Sequence, residues 1–247
     1  HVHVPLARSF RISQKKSEET WAAPVIRSDL SGYDFAITKD KPRLEGTVSE
    51  SGAVCLMSGS PISFEYIRAE AKAGRMRERL MAVVAVADGK KVYLPPIRDH
   101  EFALANVPQI EAPIGDIPDQ ALGIRVQLYG FQRYAQLFNR RQAFFLDTLC
   151  NLIREAGILL AETGASQEYV HAIQTYLTLA MGRYADYGST MTYWDDRGPS
   201  IQKTFGLPTL QMRWSYPETN PFEDFSGNLA GIIEGIATAL ARLPCSP

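Results

Sequence analysis

Residues 184–228 read YADYGSTMTYWDDRGPSIQKTFGLPTLQMRWSYPETNPFEDFSGN, and this irregular stretch separates two helical patterns. Gly188, Gly198, Pro199, Gly206, Pro208, Pro217 and Pro221 interrupt any regular period within it. It still holds two of the three Trp residues, Trp194 and Trp214, and an Asn-Pro-Phe at Asn220-Pro221-Phe222. A long irregular segment inside a compact domain is more often functional than filler. Rings and amides on such a segment suit a flat, polar ligand. The competing reading is that the rings pin a long loop onto the core.

Before this stretch, apolar residues recur with a helical period from 140 to 162, at Phe145, Leu149, Leu152, Ile153, Ala156 and Leu160. Gly164 fits the end of that helix, and Ser166 fits the cap of a second one running to about Tyr184. The second stripe is Tyr169, Ile173, Tyr176, Leu177 and Ala180. His171 has no partner at metal or triad spacing and reads as structural or exposed. Beyond the stretch, a third apolar helix is expected over 229–243, stopped by Pro244.

The N-terminal third reads as strands. Residues 22–26, 33–37 and 81–86 are short β-type runs, with Tyr33, Phe35 and Ile37 in alternation. Asp88-Gly89 supplies the positive φ of a tight turn, so 81–94 reads as a hairpin. Pro108, Pro113 and Pro118 mark 106–122 as a connector, and 123–130 reads as a short extended piece. The expected organisation is a β-rich module at 1–105, the connector, and a helical segment at 123–247. The expected fold class is α+β.

Composition narrows the function classes. A formal net charge of −1 gives no global basic field, leaving only local patches for nucleic acid. The three Cys residues, Cys55, Cys150 and Cys245, make no oxidised framework, which favours a reducing, cytoplasmic setting. No apolar run reaches the ~18 residues of a membrane span. The first 20 residues carry Arg8, Arg11, Lys15 and Lys16 without an apolar core, unlike a signal peptide. His1 in first place is read as a cut through a longer sequence. No Gly-rich dinucleotide loop, P-loop or nucleophile elbow is present.

Two features carry chemistry. Cys55-Leu56-Met57-Ser58-Gly59 is one Cys short of a zinc knuckle. A structural zinc needs four N or S ligands, so zinc is not expected in this chain. Arg68, Lys72, Arg75 and Arg79 follow steps of four, three and four, which on a helix put them on one face, with Arg77 nearby. Such a stripe suits DNA phosphates; the alternative is a solvated face balanced by Glu65, Glu70 and Glu78, and Gly74 weakens the helix.

Several strings, in this order and spacing, carry a resemblance: PLARSFRIS (5–13), GAVCLMSGSPI (52–62), YIRAEAKAGRMRERLMAVVA (66–85), VYLPP (92–96), GIRVQLYG (123–130), YAQLFNRRQ (134–142), YADYGSTMTYWD (184–195), IQKTF (201–205) and NPFEDFSGN (220–228). Together they resemble the interior of the large, Zn-ribbon-containing, adenine-specific DNA methylases of prokaryotes. The resemblance implies S-adenosylmethionine-dependent methylation of adenine N6 in DNA, in a restriction-modification setting. It implies a degenerate zinc-ribbon-like module followed by a mainly helical part of a methyltransferase domain. It also implies that the Gly-rich cofactor motif would lie upstream and the catalytic Asp-Pro-Pro-Tyr downstream; neither occurs here.

The chain departs from that pattern in places. Only Cys55 remains of the ribbon's Cys pairs. The family's Phe-Thr-Pro-Arg-Gln reads Phe138-Asn139-Arg140-Arg141-Gln142, so a looser helix start is expected. Its Tyr-Asn-Ser reads Tyr187-Gly188-Ser189, one amide fewer. The chain is therefore expected to hold DNA through Arg68, Lys72, Arg75 and Arg79. Tyr187, Trp194, Trp214, Asn220 and Phe222 are expected at the rim of a cofactor or base pocket. No catalytic residue or metal ligand is assigned. The expected partners are DNA and the missing parts of the same methyltransferase. The alternative is a non-catalytic module binding DNA or protein.

Overall fold

The computed structural model describes residues 2–15, 18–100, 106–108, 110, 115–119 and 121–244. Cys245 and much of the Pro-rich connector lie outside them. The described architecture is α+β, with small antiparallel sheets and helices. Strands β1 (Arg11–Lys15), β2 (Glu18–Ile26) and β3 (Tyr33–Thr38) form a meander in that order. Its register pairs Pro24 with Phe35 and Trp21 with Thr38. Alternation puts Tyr33 and Phe35 inward, where they join Ala7, Phe10 and Trp21 in the first core cluster.

The next elements are short. Strands β4 (Ala53–Val54) and β5 (Pro61–Ile62) pair across the Cys55 turn. Helix α1 (Phe64–Lys72) follows, capped by the Ser63 hydroxyl accepting from Tyr66 N–H. Strands β6 (Val83–Ala87) and β7 (Lys90–Leu94) form the expected hairpin. Asp88 and Gly89 take φ of 51° and 70°, as a two-residue turn of this hand requires.

Residues 123–130 depart from the extended expectation. They hold a 3-10 turn, Val126–Tyr129, and only Ile124 makes a bridge, parallel to Leu210. Gly123 and Gly130 both take positive φ, which breaks the extended path at each end. Val126 is thereby turned into a second core cluster with Ile117, Leu137, Met191 and Leu210.

The helical segment matches its periodicity closely. Helix α2 (Arg140–Glu162) and helix α3 (Gln167–Tyr187) form an antiparallel pair, and α4 (Leu229–Leu240) packs on α3. Strands β8 (Tyr193–Asp195) and β9 (Ser200–Gln202) pair between α3 and α4. Not every stripe residue is inside: Leu149 is buried, while Leu152 and Tyr169 are more than half exposed. With few neighbours, the helices cover less than a full apolar stripe. Helix α4 ends three residues short of Leu243 and buries none of its residues.

The expected looseness of the α2 start is not seen. Asn139 accepts from Gln142 N–H at 2.9 Å, and Gln142 Oε1 accepts from Asn139 N–H at 2.9 Å, a reciprocal capping box. Asn139 Nδ2 also donates to Tyr216 Oη at 3.0 Å and Glu218 Oε2 at 3.1 Å. The Asn supplies an oxygen cap where Thr-Pro would pre-set the helix start.

Contacts cross the expected boundary at 106–122. A third cluster joins Val48, Ala53 and Ile67 to Phe64, Tyr129 and Trp214. The bulge between Arg11 and Ser13 leaves Ile12 C=O to accept the Trp194 indole N–H at 2.7 Å. On the same edge of β1, Gln14 N–H donates to Asp196 C=O at 2.7 Å. Replacing Asn139 with Ala is expected to cost about 2 kcal/mol in urea unfolding, because the cap and the Tyr216 and Glu218 bonds go together.

Candidate functional site

The irregular stretch is built on a buried polar run. Ser189, Thr190, Met191 and Thr192 are all buried. Thr190 donates to Leu137 C=O through its N–H at 2.8 Å and its hydroxyl at 2.9 Å. Ser189 Oγ lies 2.7 Å from Thr204 Oγ1 and accepts from Met191 N–H. Thr192 Oγ1 contacts the carbonyls of Ser189 and Pro217 at 2.9 and 3.1 Å. Small hydroxyl side chains fit here because each satisfies backbone groups that no strand or helix pairs. The sequence gives this run no role as an anchor; its signal is three hydroxyl residues flanking one Met.

The five rim candidates fall into separate surroundings. Tyr187 ends α3, with Arg183 and Lys203 over its ring at 5.5 and 5.7 Å. It lines an open groove of about 570 Å³ between the end of α3 and α4. Arg183 and Asn228 stand at the groove, and Gly231, Gly235 and Ala239 give α4 a side-chain-poor face there. Trp194 lies over β1 and stacks on Phe225 at 6.2 Å and 8°. Lys91 sits over the other partner of that stack, 4.6 Å from the Phe225 centroid.

Trp214 is elsewhere. It stacks on Phe64 at 6.3 Å and 25°, and meets Tyr129 edge-on at 5.2 Å. No hydrogen bond or ring contact among the described residues joins it to Tyr187, Trp194, Asn220 or Phe222. Asn220 Oδ1 accepts from Phe222 N–H at 3.1 Å, closing a local Asx turn. Phe222 is 85% exposed, its ring edge-on to Phe145 at 6.2 Å. Phe145 in turn meets Tyr184 at 4.9 Å. Burial, helped by Glu218, pushes the Tyr184 phenol up to about 12. Of the five, only Tyr187 lines the groove. The Trp residues serve the packing role that aromatic side chains most often take.

The basic stripe is also rearranged. Helix α1 stops at Lys72, and Gly74 takes φ of 68°, so Arg75 and Arg79 are not on its face. Arg75 donates to both Glu70 carboxylate oxygens at 2.7 Å. Arg79 donates to Asp34 at 2.7 Å and to Tyr33 C=O, with its guanidinium 4.5 Å from the Tyr33 centroid. Arg77 donates to the carbonyls of Gly74 and Met76 at 2.8 and 3.0 Å. Arg68 and Lys72 keep the helical spacing. The residues that the sequence reading missed are Phe64 and Tyr129, each 5.6 Å from the Arg68 guanidinium carbon. Arg213 was also missed; it lies over Tyr193 at 4.5 Å, and burial, with Arg8 nearby, lowers its pKa.

The Cys55 turn has a knuckle-like path. Cys55 N–H donates to Ser60 C=O, and Gly59 N–H to Cys55 C=O, both at 2.8 Å. The Ser58 hydroxyl, with the backbone N–H groups of Ser58 and Met57, pulls the Cys55 thiol below its usual range. One thiolate does not make a four-ligand zinc site, and no cluster of three or more metal-type ligands occurs among the described residues. For S-adenosylmethionine the fit is partial: Arg183 and the Tyr187 ring suit its carboxylate and adenine, but no carboxylate lines the groove for the ribose hydroxyls. No helix among the described residues is long and apolar enough to cross a membrane.

Two stability outcomes check this placement. Trp214→Ala is expected to cost about 3 kcal/mol, while Phe222→Ala costs under about 0.5 kcal/mol, read by urea unfolding. Asp34 is pulled down to about 2 by the Arg27 hydrogen bond, aided by Arg79. A depressed carboxylate stabilises above its unfolded value near 3.8 and loses that contribution as pH falls towards 2. Asp34→Asn should therefore cost up to about 1 kcal/mol at pH ~6, an exposed-pair value, and clearly less at pH ~3. Comparison with known protein families, curated proteins and solved structures gives no match to this chain.

Proposed function

We propose that this chain is the DNA-holding part of an S-adenosylmethionine-dependent adenine-N6 DNA methyltransferase of the Zn-ribbon-containing type, and that it does not methylate by itself. On this reading the N-terminal part is a degenerate ribbon-like module, and α2, α3 and α4 belong to the methyltransferase domain. The observation that carries it lies in residues 52–72. There a knuckle-like turn, with Ser58 standing where a second thiolate would be and Gly59 N–H donating to Cys55 C=O, leads directly into the cation-bearing helix α1. The strings at 52–62 and 66–85 that resemble the family cover the same two features. The Tyr187 groove is the candidate for cofactor or base. The cofactor motif and the Asp-Pro-Pro-Tyr would come from the missing parts of the same enzyme.

A second reading, a non-catalytic module that binds a protein, draws on the outer helix faces. Leu152, Ile158, Leu159 and Leu179 are each more than half exposed. Exposed apolar groups in such numbers mark an interaction surface when contiguous.

Calorimetry separates the readings. The chain alone is expected to show no S-adenosylmethionine binding tighter than about 1 mM, and salt-dependent binding to an adenine-containing duplex. Micromolar cofactor binding would show that the groove is more complete than proposed. Loss of duplex binding at every salt concentration would remove the DNA-holding role and favour the protein-binding module.

A further inference from the structure

We propose that Arg68, clamped between the Phe64 and Tyr129 rings, and Lys72 are the residues that touch the DNA phosphates, and that Arg75 and Arg79 are structural. The inference rests on the DNA-holding reading above and assigns its contact residues.

Arg75, Arg77 and Arg79 already have acceptors: Glu70, the carbonyls of Gly74 and Met76, and Asp34 with Tyr33 C=O. Breaking a bidentate ion pair to reach a phosphate exchanges one charged partner for another and gains little. Arg68 and Lys72 have no carboxylate partner among the described residues. They lie four residues apart on α1, so both point from one face.

The Arg68 Nε–H is buried with no hydrogen-bond partner among the described residues. Its terminal nitrogens make no hydrogen bond within the described residues either, and they are not buried. The guanidinium carbon is 5.6 Å from each of two ring centroids. Those rings are themselves fixed by Trp214, stacked on one and edge-on to the other. Gly130 permits this approach: a Cβ there would stand 3.3 Å from Lys72 Cα and from Ala71 C=O. A weakly hydrated, planar cation held this way has already lost its rotamer freedom and leaves its outer N–H pair without a partner among the described residues. That fork matches two phosphate oxygens. Lys72, in the last turn of α1, adds a mobile point charge and offsets the negative end of the helix dipole.

The test is fluorescence anisotropy of a labelled duplex of about 20 base pairs, titrated over a salt series, with folding of each variant checked by circular dichroism. Arg68→Ala, Arg68→Lys and Lys72→Ala are expected to weaken binding about tenfold at low salt. Arg68→Ala and Lys72→Ala should each lower the salt slope by about one. Arg68→Lys keeps the charge and so keeps the slope, which isolates the planar fork. Tyr129→Leu, which opens the clamp without touching a charge, should weaken binding several-fold. Arg75→Ala and Arg79→Ala should leave both readings unchanged. Wild-type binding that is untouched by Arg68→Ala and Lys72→Ala would overturn the assignment while leaving the DNA-holding reading in place. No wild-type binding at any salt would overturn that reading itself, and the assignment with it. Displacement of the duplex by inorganic phosphate at matched ionic strength would mean a small-anion site and would overturn the DNA assignment.

Discussion

Two hydrogen bonds from Thr190 to the Leu137 carbonyl hold the irregular stretch to the entrance of α2. Without them, some 40 residues between α3 and α4 would have little to offset their ordering entropy. The neighbouring hydroxyls extend the same solution. Ser189 ties to Thr204, and Thr192 ties to Pro217, so three separate turns of the stretch converge on one buried point. Everything outward of that point follows: the β8–β9 hairpin is carried to the edge of β1, and Trp214 is carried back to α1.

These return contacts join the β-rich and helical segments. Strand β1 is an edge strand of its sheet, and an unpaired edge invites foreign strands. Here Asp196 C=O accepts from Gln14 N–H, and Arg11 closes an ion pair with Asp196 at 2.7 Å. Trp214 does the equivalent work at the other end, filling the space between Phe64 and Tyr129. That packing sets the Arg68 side chain between two rings, so a residue far along the chain fixes the posture of a cation on α1.

Much of the helical segment was legible in the sequence. Helix α2 spans the periodic run at 140–162, Ser166 caps α3, and the Asp88-Gly89 hairpin forms in register. Such features depend on residues within a few positions of each other, so local propensity and capping decide them. The 3-10 turn at Val126–Tyr129 was not legible, because its cause is the burial of Val126 against Met191 and Leu210. The fate of the basic stripe was half legible. Gly74 warned of a helix end, but Asp34 and Glu70 as the acceptors of Arg79 and Arg75 could not be told from solvated neighbours.

Local sequence carried the helix under the basic stripe too far, on to Arg79 where α1 ends at Lys72. It was enough for the α+β class, for the limits of α2, α3 and α4 to within a few residues, and for the lack of a second Cys to complete a knuckle at Cys55. Each follows from composition or short-range pattern, which the unfolded chain already contains. Which aromatic residues pack and which stand open depends on long-range contacts. Trp214 and Phe222 look alike as large aromatics in one loop, yet one fills the space between two rings and the other is left exposed. The same holds for the cations: of four residues of one spacing, two have acceptors and two have none among the described residues. A side chain's role is set by what the rest of the chain brings within a few ångströms of it, and that distance is not written in local sequence.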